Sequence, residues 1–241
     1  ATGGSAKLAD YDWIKNLGHT IIPPVPSLFT FNVPKNKITE LMGVSVTSCK
    51  VSISGTKLSQ DGPVLITHWG FSGPAILKLS AWGARILNEK NYRFEFRINW
   101  LPQFNFESLN QEFQKVRIQQ AKQQLSSRPW NEIPKRLWEF FLAKAEINEQ
   151  LKWADLSKKQ QHKLAELLCN DSYQAEGKTT FKEEFVTCGG VDLEEVDFKS
   201  MQSKKCENLF FAGEILNLDG VTGGFNFQAA WTTGWIAANH V

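Results

Sequence analysis

The 241-residue sequence is poor in several features that would mark a function class. It has only four cysteines, Cys49, Cys169, Cys188 and Cys206. They are scattered, with no C-x-x-C spacing and no histidine nearby to complete a zinc set, so no metal-ligating group is expected. They read as reduced, packing thiols of a cytoplasmic protein. Charge of one sign is also lacking. Lys and Arg number 27 and Asp and Glu 25, and a net charge of +2 gives no electrostatic argument for a nucleic-acid partner. No apolar run approaches the ~20 residues of a membrane span. The best candidate, PVLITHWGFSGPAIL, is broken by His68, Ser72 and Pro74. There is no secretory signal pattern, internal repeat, low-complexity segment or G-x-G-x-x-G fingerprint.

What is present is ordinary for a globular chain of one or two domains with a large core. Apolar residues make up 42% and charged residues 22%. Nine tryptophans and 17 phenylalanines suggest aromatic-lined pockets or interfaces. The chain opens at Ala1 without a methionine, inside a glycine motif, which reads as a fragment of a longer protein.

Pro23, Pro24, Pro26 and Pro34 forbid a helix in LGHTIIPPVPSLFTFNVP and favour an extended or edge strand. GVSVTSCKVSISG and GPVLIT read as strands, with Asp61-Gly62 as turn residues. In YRFEFRINW, Tyr92, Phe94, Phe96, Ile98 and Trp100 alternate with polar residues, predicting one buried and one wet face. SGPAILKLSAWGARIL reads as a helix capped by Ser72, with Pro74 in its first turn. From about Glu107 to Cys169 the spacing predicts three helices. Leu109, Phe113, Val116 and Ala121 line the first, Pro134 opens the second, and a Ser157–Gln160 capping box starts the third. The lysines there are interleaved with acids and read as a solvated face. Strands resume at EEFVTCGGV, a hairpin follows through VDLEEVDFKSM, and Leu209–Ala212 reads as a buried strand.

The closing stretch, FFAGEILNLDGVTGGFNFQAAWTTGWIAANHV, carries the strongest hint of chemistry. Glu214 stands where the expected strand ends, the usual place for ligand contacts in open α/β sheets. Asp219-Gly220 makes a turn, and Gly223-Gly224 lets backbone approach a ligand before a helix from Phe225 to Ala238. Such a helix start, with unpaired N–H groups and a positive dipole end, suits an anion or a developing oxyanion. Spacing alone allows a second reading, a glycine cap and turn before a terminal helix.

These residues resemble the C-terminal FAD-binding segment of the aminoacetone-oxidase-like NAD(P)/FAD-dependent oxidoreductases, flavoproteins of glutathione-reductase-like fold. The resemblance extends to ATGG at Ala1–Gly4, LGHTIIPPVPSL, THWGFSGPAIL at Thr67–Leu77 and VTCGGV at Val186–Val191. It implies that Thr2, Gly3, Gly213, Glu214, Asp219, Gly223, Gly224, Phe225 and Asn226 contact FAD, with Glu214 at the ribityl or pyrophosphate part. Gly223 to Asn226 would lie against the flavin ring. NAD(P)H is implied as a possible reductant. Without the fingerprint for the ADP half, the isolated chain is expected to hold FAD weakly and to be inactive.

His68, in THWGFSGP, has two readings: a ring that fixes the turn, which is favoured, or a group that binds or protonates substrate. His19 reads as structural. Trp69 and Trp82 could wall a pocket or pack against the sheet. Glu183-Glu184 and Glu194-Glu195 read as exposed charge. The expected fold is α+β, a β-barrel-like insert domain with a three-helix insertion and the C-terminal strand-helix part of an FAD domain. Expected boundaries are 1–22 and 192–241 for the FAD-domain parts, 23–102 and 173–191 for the β-rich domain, and 103–172 for the helices. The function expected is FAD-dependent redox chemistry on a small organic substrate, with no nucleic acid favoured and no membrane partner. An RNA-modifying flavoprotein of related fold and a non-enzymatic binding module are the alternatives.

Overall fold

The computed structural model describes residues 8–127, 130, 132–179 and 186–241. Thr2, Gly3 and Glu183-Glu184 lie outside the described residues. In chain order the helices and strands are α1 (Asp12–Asn16), β1 (Ile21–Ser27), β2 (Thr30–Asn32), β3 (Ser45–Ile53), β4 (Ser59–Ile66), β5 (Gly70–Ser72), α2 (Pro74–Trp82), α3 (Ala84–Glu89), β6 (Arg93–Asn99), α4 (Phe106–Gln119), α5 (Lys135–Lys144), α6 (Lys158–Cys169), β7 (Asp171–Glu176), β8 (Lys178–Thr179), β9 (Val186–Val191), β10 (Val196–Asp197), β11 (Gln202–Ser203) and α7 (Phe225–Ala238). They divide into two compact units. Ala1–Phe29, Leu77–Tyr92 and Thr179–Val241 form the first, Thr30–Ile76 and Arg93–Lys178 the second.

The second unit is a mixed structure built on a seven-stranded sheet of order β7-β6-β3-β4-β5-β2-β8, curled into half a barrel. The alternation expected along β6 is present. Phe94, Phe96, Ile98 and the following Trp100 are buried, while Arg93 and Arg97 are exposed. Tyr92 does not continue that face, because its φ of 57° turns the chain out of the extended conformation before the strand begins. On the buried face Phe96 meets Phe31 and Phe71 edge-on at 5.1 and 5.6 Å between centroids and stacks on Tyr173 at 5.7 Å.

Asp61-Gly62 is not a turn. Both residues lie inside β4, opposite Lys50 and Cys49, beside a register shift between Val46 and Cys49. The actual turn is centred on Thr56, whose hydroxyl donates to the Ile53 carbonyl at 2.9 Å and accepts from the Leu58 N–H at 3.1 Å. A bulge glycine and a turn glycine look alike in sequence. Ser72 is likewise a strand residue, paired with Leu65, and the helix expected after it is split at Gly83 into α2 and α3.

The three expected helices form. α4 starts on an Asn105–Ser108 capping box and α6 on the expected Ser157–Gln160 box; Pro134 caps α5. Leu109, Phe113 and Val116 of α4 are buried together with Leu137, Trp138, Phe141 and Leu142 of α5 and Leu164 and Leu168 of α6. Ala121 falls beyond the end of α4 and is half-buried. A buried polar group completes this unit. The Asp171 carboxylate accepts from Lys144 Nζ at 2.6 Å, from Trp100 Nε1 at 3.2 Å and, over a short contact, from the Tyr173 hydroxyl.

In the first unit, β1 and β9 form an antiparallel pair that runs from Ile21 opposite Val191 to Ser27 opposite Val186, with one register shift between them. Pro23 and Pro24 fall where the register is irregular, between Ile22 and Val25, so their missing N–H groups break no regular ladder bond. β9 therefore pairs with β1 and does not close the large sheet; β7 and β8 occupy that sheet's two edges. Val191 packs into a core with Tyr11, Ile14, Val196, Met201, Phe211, Ile215, Leu216 and Ala237. The expected hairpin is present as β10 and β11. Leu209–Ala212 is not a strand. Its regular pairing is a single bridge from Phe210 to Gln202, and Phe210 stays half-buried, so an apolar run without a full ladder partner remains irregular.

His19 is structural. Its ring is fully buried, Nδ1 lies 3.0 Å from Glu195 Oε2, and Ser203 Oγ lies 2.8 Å from Nε2. Ser203 Oγ already accepts the Lys205 and Cys206 N–H groups, so this network has Nδ1–H donating to the carboxylate and Nε2 accepting. Glu195 is thus a mostly buried network member, unlike the exposed charge expected of it; Glu194 is exposed.

Candidate functional site

The site is assembled within the first unit, from the glycines outward. Gly190 sits so close to the neighbouring backbone that a Cβ there would lie 2.4 Å from the Ile215 carbonyl oxygen, and its φ is +137°. Only glycine lets β9 run against the segment that follows Phe211. That close approach puts Leu216 in a parallel bridge with Val191, with the Asn217 N–H donating to the Val191 carbonyl at 2.9 Å. Gly213–Ile215 is a single 3₁₀ turn, tied to α7 by the Gly213 N–H, which donates to Thr233 Oγ1 at 2.9 Å.

From there a loop runs to α7, held at two points. Ser27 Oγ donates to Asp219 Oδ2 at 2.9 Å. Asn226 closes a two-bond clamp on Gly220: its Oδ1 accepts the Gly220 N–H at 2.7 Å and its Nδ2 donates to the Gly220 carbonyl at 2.9 Å. The Asn226 amide is therefore committed to bracing the loop. Gly224 is the N-cap residue of α7, with φ 85° and ψ 0°, and it supplies no side-chain cap. Gly223 and Gly224 are exposed, and a Cβ on Gly224 would meet nothing within 4 Å. A 14-residue helix thus presents uncapped N–H groups to open space, the arrangement that receives anionic or oxyanionic oxygens.

Three titratable groups of the same unit are shifted. Burial pushes the Glu214 carboxyl above its ordinary range. Burial also raises Tyr11, with Asp10 and Glu214 adding negative charge nearby. Cys188 is held up to about 11, by burial first and then by Asp219, against the opposing pull of Arg85. Arg85 also donates from Nη1 to the Pro23 carbonyl at 3.3 Å. The Cys188 thiol is therefore a poor nucleophile.

Gly213, Glu214, Asp219, Gly223, Gly224, Phe225 and Asn226 all fall in this one unit, and Phe225 is exposed beside the open start. His68 belongs to the second unit and is exposed. It does not fix its turn; the Thr67 hydroxyl does, accepting from the Trp69 and Gly70 N–H groups at 3.3 and 3.2 Å. Trp69 and Trp82 are both exposed. Ser27, Arg85 and Cys188 were not expected beside this loop. The pairing of β1 with β9 brings Ser27 and Cys188 to it, and no local pattern announces that pairing.

The residues present fit a flavin. The open helix start suits the pyrimidine-edge oxygens of the ring, and the half-buried Glu214 carboxyl can accept a hydrogen bond from a ribityl hydroxyl. Among the described residues no group of three or more His, Cys, Asp or Glu could hold a metal ion, and no helix is long and apolar enough to cross a membrane. All four cysteines are free.

Residues 25–186 match the family model described as the HI0933-like protein barrel and H2TH domain. A ribosomal RNA dihydrouridine synthase of Haemophilus influenzae is 29% identical over 99% of this chain and 58% of its own length. One of Escherichia coli is 30% identical over 99% of this chain and 58% of its own length. A 3-dehydro-bile acid delta(4,6)-reductase of Clostridium scindens is 27% identical over 94% of this chain and 56% of its own length. The chain thus spans somewhat over half the length of the curated relatives it matches. None of these three bears an aminoacetone-oxidase name.

Proposed function

The chain belongs to the HI0933-like family, and from that premise we propose that it is part of an FAD-dependent reductase that saturates a carbon–carbon double bond conjugated to a carbonyl. The carrying observation is the uncapped start of α7 beside Gly223-Gly224, in a chain similar to two kinds of reductase. Dihydrouridine differs from uridine by two hydrogens across the ring double bond next to a carbonyl. A delta(4,6)-reductase of a 3-dehydro bile acid acts on double bonds conjugated to the 3-oxo group. For a double bond conjugated to a carbonyl, such a step would add hydride to the carbon β to the carbonyl, or δ along a diene, and a proton to its double-bond partner.

When bound, FAD would supply the hydride. The α7 N–H groups would favour negative charge at the ring oxygens, Glu214 would hold the sugar-alcohol chain, and the Ser27–Asp219 bond with the Asn226 clamp would keep the loop in place. Because two of the three relatives are named for ribosomal RNA, a uracil base in RNA is the first substrate to test, ahead of the small organic substrate expected from sequence.

The test is the visible spectrum of the full-length protein, then anaerobic addition of NADH or NADPH, then of uridine-containing RNA or a conjugated enone. The reading expects a flavin band that bleaches with reductant and returns with one substrate. Absence of a flavin band after FAD loading would overturn it and favour a binding module.

A further inference from the structure

A groove of about 590 Å³ in the second unit lies where the end of β6, the start of α4 and the end of α6 meet, with Lys50 on its rim. We propose that it holds one unpaired nucleotide of a single-stranded RNA segment, resting on the reading of the protein as a reductase acting on RNA. The volume suits a nucleotide rather than a helix of RNA. Its lining is amide-rich, with Asn99, Gln103 and Asn170 together with Phe104 and Phe106.

The Asn99 amide is tied at both ends, its Nδ2 donating to the Phe104 carbonyl at 3.2 Å and its Oδ1 accepting the Leu101 N–H at 2.9 Å, so it braces the lining. Asn170 donates from Nδ2 to Glu166 Oε1 at 2.7 Å, which leaves its carbonyl oxygen turned to other uses. Gln103 is exposed and presents donor and acceptor together, the pair a base edge requires. Phe106 meets His162 edge-on at 5.7 Å and is 40% exposed, so a ring face is accessible for stacking. Lys50 is exposed and supplies the cation for a phosphate; Glu166, the acid on the rim, disfavours a second phosphate close to α6. A sterol-like substrate would bury mostly apolar surface, whereas this groove sets amides and charge beside its phenylalanines. The chemistry therefore selects a nucleotide.

The test is fluorescence anisotropy of the full-length protein with a labelled single-stranded uridine-rich RNA oligonucleotide over a salt series. Phe106→Ala is expected to weaken binding about 5- to 100-fold through lost stacking. Lys50→Gln should weaken it and reduce the salt slope by about 1. Gln103→Ala should narrow the difference between uridine-rich and adenosine-rich oligonucleotides. All three residues are exposed, and circular dichroism checks that the variants fold. Wild-type binding and salt slope in both Phe106→Ala and Lys50→Gln would overturn the proposal, as would no RNA binding by the wild type. Flavin loading, read by absorption in the same samples, separates the two failures: an unloaded protein that binds RNA through the groove sinks the reductase reading and leaves the groove standing.

Discussion

Among the described residues, Asp171 in the second unit and Glu195 in the first are carboxylates largely removed from water that accept from several donors, and the outcome differs. Asp171, in the second unit, has 1% of its side-chain surface exposed and accepts from Lys144, Trp100 and Tyr173. Burial still wins, and its carboxyl is held above the usual range. Glu195, in the first unit, keeps 12% of its surface exposed. Burial raises it too, but hydrogen bonds from Lys205, Thr20 and His19 outweigh that, and it sits at about 2. Donor counts are similar, so residual access to water decides which effect dominates. The same contrast runs through the architecture: the second unit is organised by an aromatic core, the first by backbone approach and polar ties around an open helix start.

The largest expected effect tests the backbone approach. Gly190→Ala would place a methyl 2.4 Å from the Ile215 oxygen at a φ of +137°, and should cost about 4 kcal/mol or more in chemical denaturation. A loss under about 1 kcal/mol would show that β9 can move away. Next, Asp171→Ala strands Lys144, Trp100 and Tyr173 without their acceptor and should cost about 3–5 kcal/mol, with Asp171→Asn costing less because an amide oxygen still accepts. Equal losses for Ala and Asn would show that charge, not hydrogen bonding, holds the cluster.

The third effect is a pH response. Glu195 is depressed in the folded protein, so its contribution is complete above the ordinary glutamate range and is lost as pH falls toward about 2. The loss should be roughly 1–3 kcal/mol, and Glu195→Gln should flatten it in acid denaturation. Asp171 has the opposite sign: being raised when folded, its protonation on acidification relieves a cost. Gly224→Ala comes fourth, at about 1–2 kcal/mol for a side chain at φ 85°. Because the site there is open, its larger readout is weakened flavin retention. The smallest effect is Trp231→Gln on the exposed face of α7, within about 0.5 kcal/mol in thermal unfolding.

Much of the second unit was legible because its signals are local. The β6 alternation, the Ser157–Gln160 box and the heptad-like spacing of Leu109, Phe113 and Val116 each report a period or a cap within a few residues. In the first unit the β10–β11 hairpin, the extended proline-rich β1 and the glycines were legible. Gly223-Gly224 announced an open helix start, but Ser27 and Cys188 reach Asp219 through a pairing of strands more than 150 residues apart. Asp61-Gly62 and Leu209–Ala212 misled because turn chemistry and apolar runs are read locally, whereas a bulge and a missing ladder partner are decided by the rest of the fold.

The most direct test of the account is an anaerobic single-turnover experiment with the full-length, FAD-loaded and chemically reduced protein. Mixing with uridine-containing RNA should restore the oxidised flavin band and yield dihydrouridine in equal amount, and Gly224→Ala should slow or abolish both. Reduced flavin that persists in the presence of both that RNA and a conjugated enone, in a folded and fully loaded protein, would contradict it.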